Sequence, residues 1–279
     1  MSRRFVYYGA GRSAGLLLDL YPATVAYSLR KLRTTYTGSA IRVRRSSDNT
    51  ELDIGFVGVD LDTTSLLSFV GVGNGFITTW YDQQGSNNLT QTTAGSQPQI
   101  VSTGVLITRG GNPACKFDGS NDFLIKSSQV VNVTDVSFFS VANNDLNESI
   151  GCISSCRSSF ETIRIFIERK AALKRAMLVS VSNITYATEM SQFRTTGDPI
   201  LYSNIIDASK NMSTFDNSNA GVGDTYIGNI STPILQLGRQ TTGLSHLNGT
   251  IQEFIGYNTN QSANRISIET NINNYYGIY

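Results

Sequence analysis

The feature that most constrains the fold is a succession of short β-rich runs between residues 41 and 257, separated by turns rich in Gly, Asn and Ser. Ile41-Arg-Val-Arg44 alternates apolar and basic residues, as a half-buried strand does. Val136–Ala142 is an almost uninterrupted apolar run, which indicates a strand buried on both faces. The other predicted strands are Phe76–Tyr81, Ala114–Phe117, Phe123–Ile125, Ile163–Glu168, Ala176–Val181, Ile200–Ile206, Asp224–Ile227, Ile234–Gly238 and Thr250–Tyr257. Because such strands bury their apolar sides only against one another, the sequence predicts an all-β sandwich or jelly roll.

Helical periodicity occurs near both ends of this region. Val25, Leu29, Leu32 and Tyr36 are spaced four, three and four residues apart, and a proline precedes them, so the pattern predicts a helix over about 22–36. A second helix is expected over about 262–274, with Ser262 as its N-cap.

The length of 279 residues, with no clear linker or repeat, favours one domain over 16–279 preceded by an extended segment, 1–15. No apolar run approaches the length of a transmembrane helix or of a secretory signal, so we expect neither a membrane partner nor secretion. Residues 1–50 hold nine basic and two acidic side chains, although the whole chain carries only +1. Such a basic N-terminal region is typical of a solvated face or of a surface that binds an acidic partner. We do not expect nucleic acid to be a partner.

Segment 1–15 mixes aromatic and basic residues, which are enriched at interfaces, and it is too poor in apolar residues to fold alone. We expect it to pack on a neighbouring subunit, or else along its own sandwich as an edge strand. The predicted assembly residues are Arg3, Arg4, Phe5, Tyr7, Tyr8 and Arg12.

The metal-binding residue types are sparse. Cys115, Cys152 and Cys156 have no zinc-site spacing and are expected to be buried thiols, and His246 is expected to be structural. Ca²⁺ is a weak alternative at two turns, where the same side chains could instead cap the backbone. These turns carry Asp82 with Asn87 and Asn88, and Asp118 with Asn121 and Asp122.

An aromatic pair beside polar side chains is the candidate carbohydrate-binding site: Trp80, Tyr81, Asp82 and Gln83. Adjacent strand residues point to opposite faces, so one ring of the pair belongs to the core. Trp80 is the expected core residue, which leaves Tyr81 the more exposed partner.

Several stretches resemble one family. Leu18-Asp-Leu-Tyr-Pro22, Tyr36–Asp48 and Trp80–Gln91 are similar to the catalytic domain of α-L-arabinofuranosidase B, glycoside hydrolase family 54. The Phe117–Leu124 turn and the Leu247–Ile255 strand resemble the wider concanavalin-A-like and laminin-G-like group. The resemblance implies a concanavalin-A-like two-sheet jelly-roll sandwich with short N-terminal and C-terminal helices. Relatives with this opening and a similar aromatic ending are known among virion proteins of tailed bacteriophages.

The resemblance also places two catalytic carboxylates, which a glycosidase needs on either side of the scissile bond. The family's general acid is an Asp after an apolar strand that ends in glycine, and here Arg239 and Gln240 stand in that place. Arginine has no proton to give at neutral pH. The family's nucleophile is a Glu that ends an apolar strand, and Glu168 is a weak match. We therefore expect no enzymatic activity.

The resulting expectation is a non-catalytic virion structural protein: a capsid decoration, head-fibre or tail-associated subunit, made in the host cytoplasm. Its expected partners are other virion proteins and copies of itself. A receptor-recognition module that binds a host-surface glycan is the alternative, and an arabinofuranosidase-like hydrolase is the third.

Overall fold

The computed structural model describes residues 15–128, 130, 135–145, 150–157, 162–168, 175–181, 184–190, 198–229, 234–240 and 245–279. The helices are α1 (Leu17–Leu20), α2 (Thr63–Val70) and α3 (Arg265–Tyr276). The first eight strands are β1 (Val25–Ser28), β2 (Ile41–Arg45), β3 (Glu51–Ile54), β4 (Phe56–Val57), β5 (Asp60–Leu61), β6 (Gly75–Trp80), β7 (Leu89–Thr90) and β8 (Gln99–Ser102).

The middle strands are β9 (Val105–Leu106), β10 (Thr108–Arg109), β11 (Asn112–Pro113), β12 (Cys115–Asp118), β13 (Leu124–Lys126), β14 (Val136–Asn144), β15 (Ile150–Arg157) and β16 (Thr162–Glu168). The last strands are β17 (Arg175–Val181), β18 (Ile184–Glu189), β19 (Ile200–Ile206), β20 (Asn211–Asp216), β21 (Asn219–Ala220), β22 (Asp224–Thr225), β23 (Ile234–Leu237) and β24 (Asn248–Tyr257).

Most of the strands form two antiparallel layers, and β4–β5 and β10–β11 form separate two-stranded sheets. In the first layer β20, β19, β14 and β24 are neighbours in that order, and β24 also pairs with β1 and β12. The second layer runs β13–β23–β15–β16–β17–β18. Strand β6 joins the layers, because it pairs with β8 beside the first layer and with β7 beside the second.

The main core lies between the two layers. Phe138 and Phe254 from the first layer share one buried cluster with Val179, Leu235 and Leu237 from the second. Burying a side chain of this size stabilises the fold by roughly 1.5–3 kcal/mol. Period-two alternation determines which side chains enter the core, and this confirms the all-β sandwich.

A second buried cluster covers the opposite face of the first layer. Phe139 and Ile255 point away from the inter-layer core and pack with Leu17 of α1 and with Ile268 and Ile272 of α3. All nine residues of β14 are buried for this reason, as its apolar run predicted.

The helix predicted over 22–36 is wrong. Val25–Ser28 is instead β1, which pairs with β24 from Val25↔Gly256 to Ser28↔Glu253. All four of its residues are buried. The apolar residues whose spacing suggested a helix lie instead on a strand and in the loop that follows it. Pairing with β24 favours the strand over the local helical preference. The short N-terminal helix that does form is α1, residues 17–20.

The C-terminal helix is confirmed, although it begins at Arg265 after a turn rather than at Ser262. Gly277, in the left-handed conformation, ends it. Helix α2 was not predicted; the Asp62 carboxylate caps it by accepting the Ser65 N–H bond. The three cysteines all lie in the described part of the chain, and they are buried and not disulfide-bonded, as expected. No helix among the described residues is long and apolar enough to cross a membrane.

Candidate functional site

The loop after β6 uses most of its predicted sugar-binding side chains for internal contacts. Trp80 is fully buried in the core, as expected for one member of the aromatic pair. Asp82 accepts hydrogen bonds from the backbone N–H groups of Ala26 and Gln84 at 2.9 and 3.0 Å. Gln83, also buried, accepts the Leu32 N–H bond and donates to two carbonyl oxygens.

Tyr81 is the partly exposed member of this group, and its hydroxyl donates to an Asp53 oxygen at 2.7 Å. Asp82 and Gln83 hold the loop against β1 and Trp80 is buried in the core, so a ligand could contact only Tyr81 among the four. Sugar binding at this loop stays a prediction, narrowed to that one ring.

The turn between β12 and β13 holds its carboxylates in the same manner. Asp118 accepts backbone N–H bonds from Ser120, Asn121 and Asp122 at 2.8 to 3.3 Å, and Asp122 accepts the Asp118 N–H bond at 3.0 Å. These are turn-capping contacts, which use the oxygens that a Ca²⁺ ion would need. Within the described ranges no three Asp, Glu, His or Cys side chains are grouped to hold a metal. The Asp82 carboxylate is likewise engaged by backbone N–H groups.

The second layer has an outer face that points away from the core, and its polar positions converge near β23. Leu235 and Leu237 enter the core, so Gln236 between them belongs to the outer face. Register pairs Gln236 with Ser155 of β15. The register pairs position 166 of β16 with Cys152 of β15, and position 168 with Ile150. Directly paired positions share a face, and so do positions two apart on one strand, so position 168 belongs to the same face as Cys152.

The turn after β23 brings Arg239 to this face. Gly238 has φ of +88°, and a Cβ there would lie 2.2 Å from the Phe117 ring, so glycine is required. The Gly238 N–H donates to the Ile153 carbonyl at 2.9 Å. The Ser155 hydroxyl donates to the Arg239 carbonyl at 3.1 Å, which fixes the turn to β15.

The Arg239 side chain lies on an aromatic ring. Its guanidinium carbon is 3.3 Å from the centroid of the Phe123 ring, a cation–π geometry. The Nε donates to Gln236 Oε1 at 3.4 Å. No carboxylate whose side chain the structure describes forms an ion pair with this guanidinium. Burial lowers the pKa of Arg239, but arginine stays charged at any physiological pH.

His246 lies beside this arginine. Ser245 and Leu247, its neighbours in the chain, bond to Cys152 and Gly238 through the backbone. Burial, and then the charge of Arg239, lower the pKa of His246, while Asp118 acts weakly in the other direction. The imidazole is therefore neutral at pH 7, when it can both donate and accept a hydrogen bond.

Asp122 differs from the other described acids because its pKa is raised to about 7, by burial and by the nearby negative charge of Asp118. Two opposing effects act on the pKa of Asp118. Burial raises its pKa, but its three backbone N–H bonds outweigh burial and lower it. One carboxyl of this turn thus remains partly protonated near neutrality while the other is ionised.

Sequence reasoning found Arg239 only as the replacement for an acid, and it missed Phe123, Gln236 and Ser155. The glycine-terminated strand Ile234–Gly238 was the available signal. The stacking of residue 239 on residue 123 joins segments more than 110 positions apart, so no local pattern could reveal it. The assembly residues Arg3, Arg4, Phe5, Tyr7, Tyr8 and Arg12 lie outside the described residues. The division into 1–15 and 16–279 stays a prediction.

Three solved structures share this fold. They are an α-L-arabinofuranosidase of glycoside hydrolase family 54 soaked with a cyclic sulfate inhibitor, a glutamate-to-glutamine mutant of such an enzyme soaked with 4-nitrophenyl α-L-arabinofuranoside, and an arabinofuranosidase complexed with arabinofuranosyl-α-1,2-xylobiose. Their TM-scores are 0.66, 0.68 and 0.64 at 15, 16 and 16% identity. Each match covers 90% of this chain but only 62% of the other protein. No protein-family model and no curated protein matches the sequence.

At such identities the likeness establishes the fold, and it confirms the resemblance to the arabinofuranosidase sandwich. The expectations of a non-catalytic virion protein and of no enzymatic activity are wrong, because the matched structures are glycoside hydrolases and none of the three is a virion component. One substitution at the acid position, Arg239/Gln240, was too narrow a basis for excluding an enzyme.

Proposed function

We propose that this chain is a glycoside hydrolase whose substrate carries an α-L-arabinofuranosyl unit. The observation that carries the proposal is the common fold with three arabinofuranosidases over 90% of the chain. The substrate class comes from what two of those structures contain, 4-nitrophenyl α-L-arabinofuranoside and arabinofuranosyl-α-1,2-xylobiose.

In this proposal Glu168 is the nucleophile. It ends β16, on the face of the second layer to which Cys152 also belongs. In a retaining mechanism its carboxylate attacks the anomeric carbon, the bond to the leaving oxygen breaks, and water then hydrolyses the glycosyl ester. The outer face beside Arg239 is where the sugar would lie.

Arg239 imposes a chemical restriction on that reaction. It stands where the resemblance places a proton donor, and a guanidinium cannot protonate a leaving oxygen. The 4-nitrophenolate anion is a good leaving group that needs no proton, whereas the alkoxide oxygen of a sugar must be protonated as it leaves. We therefore expect cleavage of aryl arabinofuranosides to exceed cleavage of arabinofuranosyl oligosaccharides by at least about a hundredfold, the usual contribution of general acid catalysis.

The test is release of 4-nitrophenol from 4-nitrophenyl α-L-arabinofuranoside by the wild type and by Glu168→Gln. Removing the nucleophile should lower kcat by more than about a thousandfold. Glu189→Gln is the matched control, because Glu189 also ends a strand of the same layer and its side chain is exposed. Turnover should survive in the control. No turnover by the wild type, or equal turnover by all three proteins, would contradict the proposal.

A further inference from the structure

Arg239 differs from the other arginines that stack on aromatic rings in the described part of the chain. Arg44 lies 4.8 Å from the Phe76 centroid and, without a carboxylate partner among the described residues, donates to Gln97, Asn49 and the Ala94 carbonyl. Arg30, Arg45 and Arg265 lie 3.8 to 5.7 Å from ring centroids. Each of these three is also paired with a carboxylate, at 2.6 to 2.8 Å. The Arg239 guanidinium makes the shortest of these ring contacts, at 3.3 Å, yet among the side chains that the structure describes it has only the Gln236 amide as a polar partner.

The stack and the turn hold this charge in place. Phe123 fixes one face of the guanidinium, Gly238 and the Ser155 hydroxyl fix its backbone, and Gln236 takes its Nε–H. Neither terminal nitrogen bonds to a described residue, and together they form a planar fork of donors that matches the two oxygens of a carboxylate. A fixed, partly buried cation of this kind attracts an anion more strongly than a mobile surface lysine does.

The neighbouring groups suit a sugar ring around that anion. His246, neutral at pH 7, offers both a donor and an acceptor to hydroxyl groups. The Phe123 ring adds an apolar surface beside the charge. A single arginine matches a carboxylate of charge −1 better than a phosphate of higher charge, which usually calls for several cations.

We propose that the outer face of the second layer recognises an acidic saccharide, with the carboxylate of a uronic acid unit bound by Arg239. This deepens the proposed function, on which it rests for placing a glycan at this face. The substrate is then an arabinofuranosyl-bearing glycan that also contains uronic acid, and the residue that replaced the proton donor has become a specificity determinant.

The experiment measures binding by isothermal titration calorimetry with two probes of the same sugar chain: trigalacturonic acid, and its fully methyl-esterified form, in which each carboxylate is a neutral methyl ester. The wild type should bind the acid at least about tenfold more tightly than the ester, since a charge-assisted bidentate contact is lost in the ester. Arg239→Gln should abolish the difference and weaken only binding of the acid. Arg45→Gln, which removes a stacked arginine already paired with Asp48, should change neither affinity.

The outcomes separate this inference from the proposed function. Equal affinity for acid and ester, no binding of either, or a preference that survives in a folded Arg239→Gln would overturn the inference. Glu168→Gln should keep the preference for the acid while losing hydrolysis. A wild type that prefers the acid but never hydrolyses an arabinofuranoside would refute only the proposed function, and hydrolysis without that preference would refute only the inference.

Discussion

Two stacked arginines mark the two outer faces of the sandwich, and their surroundings differ. Arg30 lies under α3, is 4% exposed, and donates to both oxygens of Glu253 at 2.8 and 3.0 Å and to Asn271. Two tyrosine rings, Tyr275 and Tyr276, cover it. Arg239, on the other face, has one ring and one amide among the described side chains.

The difference separates a structural role from a functional one. A fully buried charge is tolerated only when its partners are complete, because the desolvation of an unpaired ion costs several kcal/mol. The α3 face meets that condition and holds the C-terminal helix. The β23 face keeps a half-buried cation whose fork of donors can receive a ligand.

The largest expected effect is on the Arg30 side of this comparison. Arg30→Met should lower the free energy of unfolding by about 3–5 kcal/mol, because Glu253 would remain buried without its counter-charge. Urea denaturation followed by tryptophan fluorescence measures it through buried Trp80.

The double variant Arg30→Met, Glu253→Met is the control. It should be less destabilised than the sum of the two single variants, since it leaves no uncompensated charge. Additive losses, or a loss below about 1 kcal/mol for Arg30→Met, would show that this pair is not the structural anchor described.

Asp122 sharpens the comparison, because it is a buried carboxyl that forms no ion pair with any described residue and takes up a proton instead. Its pKa is about 7 in the folded protein, above its ordinary value. The associated stability is present at acid pH and is lost as the pH rises through 7. Between pH 5 and pH 8 the wild type should therefore lose about 1 kcal/mol relative to Asp122→Asn, allowing for solvent screening.

Urea denaturation of both proteins at the two pH values gives this difference directly. Asparagine still offers an oxygen to the Asp118 N–H, so the turn is retained. A difference that is constant with pH, or that changes with the opposite sign, would contradict the raised pKa.

The smallest effect is expected at Arg239. Arg239→Gln should change the free energy of unfolding by less than about 1 kcal/mol, because no buried carboxylate among the described side chains is paired with its guanidinium. Measured beside Arg30→Met, it shows whether the two arginines differ as described. A loss as large as that of Arg30→Met would mean that Arg239 is structural too.

The sequence predicted the sandwich well because strand alternation is local. β14, β24 and the strand before Arg239 were recognisable from their apolar runs. The helix prediction for 22–36 failed because β1 forms by pairing with β24, which lies more than 220 residues away in the sequence. The helix α2, only eight residues long, gave too short a period to recognise.

The site was less accessible to sequence reasoning than the fold. The aromatic pair at 80 and 81 drew attention as a sugar platform, but the structure uses most of that loop to hold β1. The position of Arg239 depends on contacts with Phe123, Ser155 and Gln236, which lie at three separate places in the second layer and its turns. Neither the stack nor the absence of a described carboxylate partner leaves a local signature.

Hydrogen–deuterium exchange with and without trigalacturonic acid tests most directly the claim that the β23 face, and not the α3 face, is the functional one. We predict slower exchange in segments 117–124 and 234–240, around Phe123 and Arg239, with no change in 265–276. Slower exchange confined to 80–84 around Tyr81, or to α3, would contradict the account, as would no change anywhere at saturating ligand.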